Sequence, residues 1–160
     1  MLFKNRHDAG KQLAKKLTKY RNKKDVIVLG IPRGGVEVAF DITKSLKALL
    51  SVVVTKKIPH PSEPEFAIGA VSPDNYIVDE EYKNKAGEEY IKKTVREMNA
   101  EIKRRYKKYT NGKLPTLKNK IVIIVDDGLA TGYTMLAAIK YARNKNPKKT
   151  YCCNSSSCSR

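Results

Sequence analysis

The sequence predicts an α/β protein: an open, mainly parallel sheet flanked by helices, with a short antiparallel insertion that carries a loop or lid. Three observations lead there. Residues 26–29 (Val-Ile-Val-Leu), 52–54 (Val-Val-Val) and 121–125 (Ile-Val-Ile-Ile-Val) are β-branched apolar runs without alternation. That is how parallel strands covered on both faces read. Helical periodicities separate the runs, so each strand-to-strand connection is a right-handed crossover. Finally, the 160 residues contain no internal repeat and no low-complexity linker, which suits one core and one domain.

In chain order, Ala9, Leu13, Ala14 and Leu17 share one face of a first helix. After the strand at 26–29, Val36, Ala39, Phe40, Leu46 and Leu50 follow helical spacing. After the strand at 52–54 the rhythm changes, with Pro59, Pro61, Pro64 and Pro73 in residues 58–79. Segments 66–71 and 76–78 read there as a pair of small antiparallel strands carrying a mobile loop. Ile91, Val95, Met98, Ile102 and Tyr106 then form a stripe on a long basic helix. Met135, Leu136, Ile139 and Ala142 mark a last helix after the third strand.

Lys and Arg number 33 against 16 Asp and Glu, a net charge of +17. Such a field attracts anions such as nucleic acid, phosphorylated metabolites or an acidic surface. Doublets such as Lys15-Lys16, Lys92-Lys93 and Lys107-Lys108 equally suit solvated helix faces. No apolar run reaches membrane-spanning length and the first residues lack a signal-peptide core, so a cytoplasmic protein is expected. Cys152, Cys153 and Cys158 all fall in the last nine residues, without zinc spacing. His7 and His60 have no ligand partners at motif spacing and read as solvated.

Ligands of open α/β sheets bind beyond the carboxyl ends of the strands. Two corners of that kind are unusual in composition. After the third strand comes Asp126-Asp127-Gly128-Leu129-Ala130-Thr131-Gly132-Tyr133-Thr134. Adjacent carboxylates at a buried strand tip cannot both turn inward, because an unpaired buried charge is too costly. They can accept hydrogen bonds from a polyol or sit near a divalent cation. The Ala-Thr-Gly-Tyr-Thr that follows opens a helix, whose free N–H groups, dipole and hydroxyls make a phosphate cradle. Together they form a compact reader of ribose 5-phosphate. Asp126-Asp127 alone would read as an acidic strand end before an ordinary helix cap. The other corner is Gly30-Ile31-Pro32-Arg33-Gly34-Gly35. Its glycines let backbone approach an anion and Arg33 offers a forked donor. As a bare pattern it is equally a turn, and it is neither a Walker A loop nor a dinucleotide fingerprint.

Residues 121–134 closely resemble the phosphoribosyl pyrophosphate (PRPP) signature of type I phosphoribosyltransferases. Segments 6–10, 31–36 and 64–71 extend that similarity to an uncharacterised prokaryotic branch of the family. The resemblance implies that Asp126 and Asp127 hold the ribose hydroxyls, and that Ala130, Thr131, Gly132, Tyr133 and Thr134 wrap the 5-phosphate. It makes Pro32, Arg33, Gly34 and Gly35 the pyrophosphate loop, joined by Lys57 with Lys56 as the other candidate. Most family members carry a small residue where Tyr133 stands. The candidate catalytic residues are Asp126, Asp127, Lys57 and Arg33. Mg²⁺ is the implied cofactor, near Asp126 and Asp127 but held mostly by substrate oxygens and water. The implied partners are PRPP and a nitrogenous base, in a homo-oligomer, with residues 58–70 as a lid. No membrane is expected.

Two other readings stand beside this one. A PRPP- or nucleotide-sensing regulator would use the basic run Lys103-Arg104-Arg105-Tyr106-Lys107-Lys108, although no nucleic-acid motif accompanies it and nucleic acid is the less favoured partner. An inactive, truncated remnant is the other. Residues 1–150 read as the phosphoribosyltransferase-like domain and residues 151–160 as an atypical polar Cys/Ser tail. The α/β rhythm calls for an apolar strand where Tyr-Cys-Cys-Asn-Ser-Ser-Ser stands. Codons TAT TGT TGC AAT TCC AGT AGC for that stretch, shifted by a single base, would encode Ile-Val-Ala-Ile-Pro-Val. A frameshift that loses this strand, and with it the chain's continuation, is therefore expected. The nucleotide sequence tests it.

Overall fold

The computed structural model describes residues 3–128 and 130–154, and the backbone of 158–159. Helix α1 (Arg6–Lys16) leads to β1 (Val26–Gly30), α2 (Gly34–Leu46) and β2 (Leu49–Val52). A small sheet follows, of β3 (Lys56–Pro59), β4 (Ala67–Ser72) and β5 (Asn75–Val78), then α3 (Glu80–Ala86) and α4 (Glu88–Thr110). The chain returns as β6 (Ile121–Val125), α5 (Tyr133–Arg143), β7 (Lys149–Cys153) and β8 (Cys158–Ser159). The main sheet has the order β2-β1-β6-β7-β8, with the first four strands parallel and β8 antiparallel. The small sheet is antiparallel in the order β3-β4-β5.

All residues of β1 and β6 are buried, as their unbroken apolar runs require. Their side chains still divide by period two. Val26, Val28, Ile121, Ile123 and Val125 pack with α1 and α2, while Ile27, Leu29, Val122 and Ile124 pack with α5. Burying one such side chain stabilises the fold by about 1.5–3 kcal/mol. The register runs from Val26 opposite Ile121 to Gly30 opposite Val125. The two strands therefore end flush, and their following loops lie side by side.

Several sequence expectations change in detail. The second strand comes earlier than 52–54. Lys47 takes the left-handed conformation at φ 55° and caps α2, so Leu50 leaves the helical stripe and pairs with Val28 in β2. Val53 and Val54 are buried just past β2: the Val53 N–H makes a last bond to the Gly30 carbonyl of β1, and the Val54 N–H donates to the Tyr106 hydroxyl. Phe40 and Leu136 lie off their helices' buried faces, each about half exposed. The antiparallel pair is a triple, because β3 joins it. The proposed lid is strand only at its two ends, and its tip is closed by a bond from the His60 N–H to the Phe66 carbonyl at 2.8 Å. His7 meets Asp41 at 2.8 Å and so bridges α1 to α2.

A strand does form across residue 150, while the frameshift itself is left to the nucleotide sequence. β7 crosses the boundary drawn at 150/151 and pairs with β6 from Lys149 opposite Ile121 to Cys153 opposite Val125. Backbone pairing is indifferent to side-chain polarity, and Tyr and Cys fit a pleated, half-buried surface. Cys153 is only 1% exposed, in the core with α1 and α2, and the Tyr151 ring packs tilted against Tyr20 at 5.4 Å between centroids. The remainder of the atypical tail, apart from Asn154 and the backbone of 158–159, lies outside the described residues.

Candidate active site

Parallel strands aim their carboxyl ends one way, so both unusual corners open on one cleft of about 780 Å³. Asp126, Asp127, Gly128, Ala130, Thr131, Gly132 and Thr134 line it from the β6–α5 loop, and Ile31 and Pro32 from the β1–α2 loop. Lys56 and Lys57 enter from β3. Pro59, Pro64, Thr55, Met98 and Arg105 complete the wall.

The two acids take opposite orientations, as the cost of burial demands. Asp126 is 9% exposed, and its Oδ1 accepts the Asp127 backbone N–H at 2.9 Å. Burial pushes its carboxyl up to about 6, with further upward pressure from the Asp127 carboxylate and opposition from the Lys57 ammonium. Asp127 faces outward to Arg6 of α1, whose Nε and Nη2 donate to its Oδ2 at 2.9 and 2.7 Å. Arg6 also reaches Glu37 at 3.4 Å. This guanidinium balances one of two adjacent negative charges and sets the direction of Asp127.

Gly34 and Gly35 work here through closeness. A Cβ on Gly34 would collide with the Asp127 carboxylate. One on Gly35 would stand 2.5 Å from the Val125 carbonyl and 2.9 Å from the Asp126 Cα. Neither glycine lines the cleft; they let α2 begin directly against the acidic loop. Arg33 is exposed and is not among the cleft-lining residues, and its peptide with Pro32 is cis.

In the cradle, Gly132 adopts φ 80° as the N-cap of α5, leaving the first-turn N–H groups toward the cleft. Tyr133 turns away. Its hydroxyl donates to Asp79 Oδ2 at 2.7 Å, tying α5 to the β5–α3 junction. That bond pushes the phenol up to about 12 and holds the Asp79 carboxyl below its usual range. The bulky residue therefore stays out of the cleft. Leu129 lies outside the described residues. Glu65 is exposed and does not line the cleft.

Arg6, Thr55, Met98 and Arg105 were given no place in the site from sequence, although Met98 was read in the helical stripe and Arg105 in the basic run. Arg6 belongs to a segment that carried the family resemblance without a role, and the other three sit in ordinary strand-end and helix patterns.

Because Asp126 binds its proton more tightly folded than unfolded, its burial is free of penalty below about pH 4. The cost grows as pH rises toward about 6 and is complete above that. Asp126→Asn should therefore raise thermal stability at pH 7.5, on the order of 1–3 kcal/mol, with the gain fading as pH falls through 6 toward 4. Melting curves of both proteins across that range check it. A gain that grows at low pH would contradict the assignment.

An α/β domain with paired carboxylates and an open helix N-terminus at the carboxyl edge of a parallel sheet is the class that fold and site define. The chain belongs to the phosphoribosyltransferase family: the family model of the phosphoribosyl transferase domain matches residues 2–155. It is 41% identical over 150 residues to proteins of Mycobacterium tuberculosis strains CDC 1551 and H37Rv, provisionally named phosphoribosyl transferases. The match covers 89% of this chain and 33% of theirs, so the chain spans a third of the length of these curated relatives. Among solved structures, the protein TT1426 of Thermus thermophilus is similar at TM-score 0.76 and 30% identity, over 96% of this chain and 74% of that one. A Staphylococcus aureus hypoxanthine phosphoribosyltransferase shares the fold at TM-score 0.57 and 14% identity, over 93% of this chain and 61% of its own. Among the described residues no helix is long and apolar enough to cross a membrane.

Proposed function

We propose that this domain transfers the ribose 5-phosphate of PRPP to a ring nitrogen of a nitrogenous base and releases pyrophosphate. The observation that carries the reading is one cleft lined jointly by Asp126-Asp127, the opening of α5 and the Lys56-Lys57 strand. The bond from ribose C1 to the pyrophosphate oxygen breaks with its electron pair on oxygen, and a nitrogen lone pair forms the new C1–N bond. Asp126 and Asp127 accept hydrogen bonds from the ribose hydroxyls, with Arg6 keeping Asp127 in position. The backbone N–H groups of Ala130 to Thr134 and the hydroxyls of Thr131 and Thr134 hold the 5-phosphate. Lys57, with Lys56, balances charge building on the leaving group. Gly34 and Gly35 keep the pyrophosphate loop against the acids, and Pro32 forms its cleft-facing part. Arg33 reaches pyrophosphate in this scheme only by turning inward from its exposed position.

Among the described residues no three acidic, His or Cys groups converge. Asp126 and Asp127 offer two carboxylates, and a cation that keeps several waters and substrate oxygens fits that set. Mg²⁺ near Asp126 and Asp127 would supply positive charge to the pyrophosphate oxygens. Release of pyrophosphate from PRPP and Mg²⁺ should occur with one class among purine, pyrimidine and nicotinate-like acceptors. Tight PRPP binding with no release for any acceptor would replace transfer by sensing. For that alternative, Arg104 and Arg105 of the basic run are already engaged by Glu101 at 2.7 and 2.8 Å.

A further inference from the structure

The edge of the main sheet opposite the cleft carries a charge pattern that the transfer reaction leaves unused. Parallel strands start at one edge and end at the other, so the turns leading into β2, β1, β6 and β7 lie side by side. Those turns, residues 47–48, 21–25, 118–120 and 146–149, hold eight cations (Arg21 and seven lysines) against one carboxylate, Asp25. Asp25 is already met by Lys148 at 3.6 Å. Lys23, Lys24, Lys47 and Lys120 surround a cavity of about 390 Å³ that no carboxylate lines. Among the described residues, none of these four lysines pairs with an acid. The Lys120 Nζ donates to the Lys24 carbonyl at 3.4 Å, and Lys23 lies 5.6 Å from the centre of the Tyr20 ring. Neither contact removes a charge.

The backbone holds these charges in a fixed row. Each of the four strands is entered through a left-handed residue: Asn22, Lys47, Asn119 and Asn146, at φ 61°, 55°, 59° and 53°. Asparagine is the usual occupant of that conformation after glycine, and at position 47 a lysine takes it instead. The Asn22 N–H donates to the Leu46 carbonyl at 2.9 Å, Ile121 to Asp25 at 2.7 Å and Lys148 to Lys120 at 2.8 Å. These bonds join neighbouring turns, so the lysines are spaced by the strands, about 4.8 Å apart and about 14 Å across all four. The same bonds use backbone N–H groups that could otherwise form a nest around one small phosphate. What the edge offers is a row of ammonium groups. Lysine is a point charge without the fork of arginine, which suits repeated phosphates met for their charge and not for sequence. We propose that this edge binds the sugar-phosphate backbone of a nucleic acid, independently of base sequence. The cleft lies at the other end of five-residue strands, about 15 Å away, so the two surfaces do not compete.

Fluorescence anisotropy of a labelled DNA duplex, titrated with the whole chain over a range of salt, tests this. The parent should bind with a micromolar or tighter Kd at low salt, and the affinity should fall steeply as salt rises. Lys24→Gln combined with Lys47→Asn should weaken binding by about tenfold or more and lower the salt slope by about two. Both side chains are exposed and asparagine accepts the left-handed conformation, so this variant should melt no lower than the parent. That separates lost binding from lost folding. Lys103→Gln combined with Lys107→Gln removes the same charge from the basic run of α4 and should stay within about twofold. Equal weakening by the two pairs would reduce the effect to net charge and overturn the surface. Unchanged affinity in the first variant overturns it too, as does a parent that binds no duplex. Recruitment to vesicles of anionic lipid without duplex binding would also overturn it, in favour of a membrane.

Discussion

Replacing Asp126 and Asp127 together by asparagine should abolish measurable PRPP binding while leaving the fold intact. Each carboxylate is proposed to accept a charge-assisted hydrogen bond from the ribose, worth about 1.5–3 kcal/mol, so the pair accounts for roughly two to four decades of affinity. The structure explains why the fold should survive. Asp126 is buried with its carboxyl pushed up to about 6, and asparagine removes that burial cost while still accepting the Asp127 N–H. At Asp127 the change leaves Arg6 with Glu37, and the Arg6 side chain is half exposed, so water takes over the lost contact cheaply. Calorimetry with PRPP, paired with thermal melting, reads both parts. Unchanged affinity in the double variant sinks the ribose assignment.

Gly35→Ala should damage both stability and ligand binding. The added methyl would stand 2.5 Å from the Val125 carbonyl and 2.9 Å from the Asp126 Cα, both backbone atoms with no side-chain freedom to yield. The Val125 carbonyl is further pinned by the Ile31 N–H at 2.8 Å. Either α2 or the acidic loop must shift. Overpacking of this kind costs about 1–3 kcal/mol, which for a chain this size lowers the melting temperature by about 2–4 °C per kcal/mol. The displaced loop also carries Asp126, so PRPP affinity should fall with stability. Gly128→Ala is the control for stability: nothing lies within 4 Å of a Cβ there, and the melting temperature should barely move. Equal melting of the two variants would mean that the β1 and β6 loops are not packed as tightly as described.

What the sequence by itself determined is what depends on consecutive residues. The unbroken runs of β1 and β6 are buried on both faces because no polar residue interrupts them, so strand type and parallel packing follow from local pattern. The β6–α5 loop was legible for the same reason, since its acids, its glycine at positive φ and its threonines are contiguous. The tertiary structure decided whatever depends on a partner distant in sequence. Arg6 meets Asp127 across 121 positions, and Tyr133 meets Asp79 across 54. The Val54 N–H, on the side of the chain away from β1, found the Tyr106 hydroxyl of α4. The polar stretch after Thr150 became a strand because β6 offered it a free edge, and backbone hydrogen bonds accept side chains that a pattern search rejects. Local periodicity records which face of an element is dry. It holds no record of which group across the fold completes a charge or a hydrogen bond, because that partner is chosen by the packing of elements after they form.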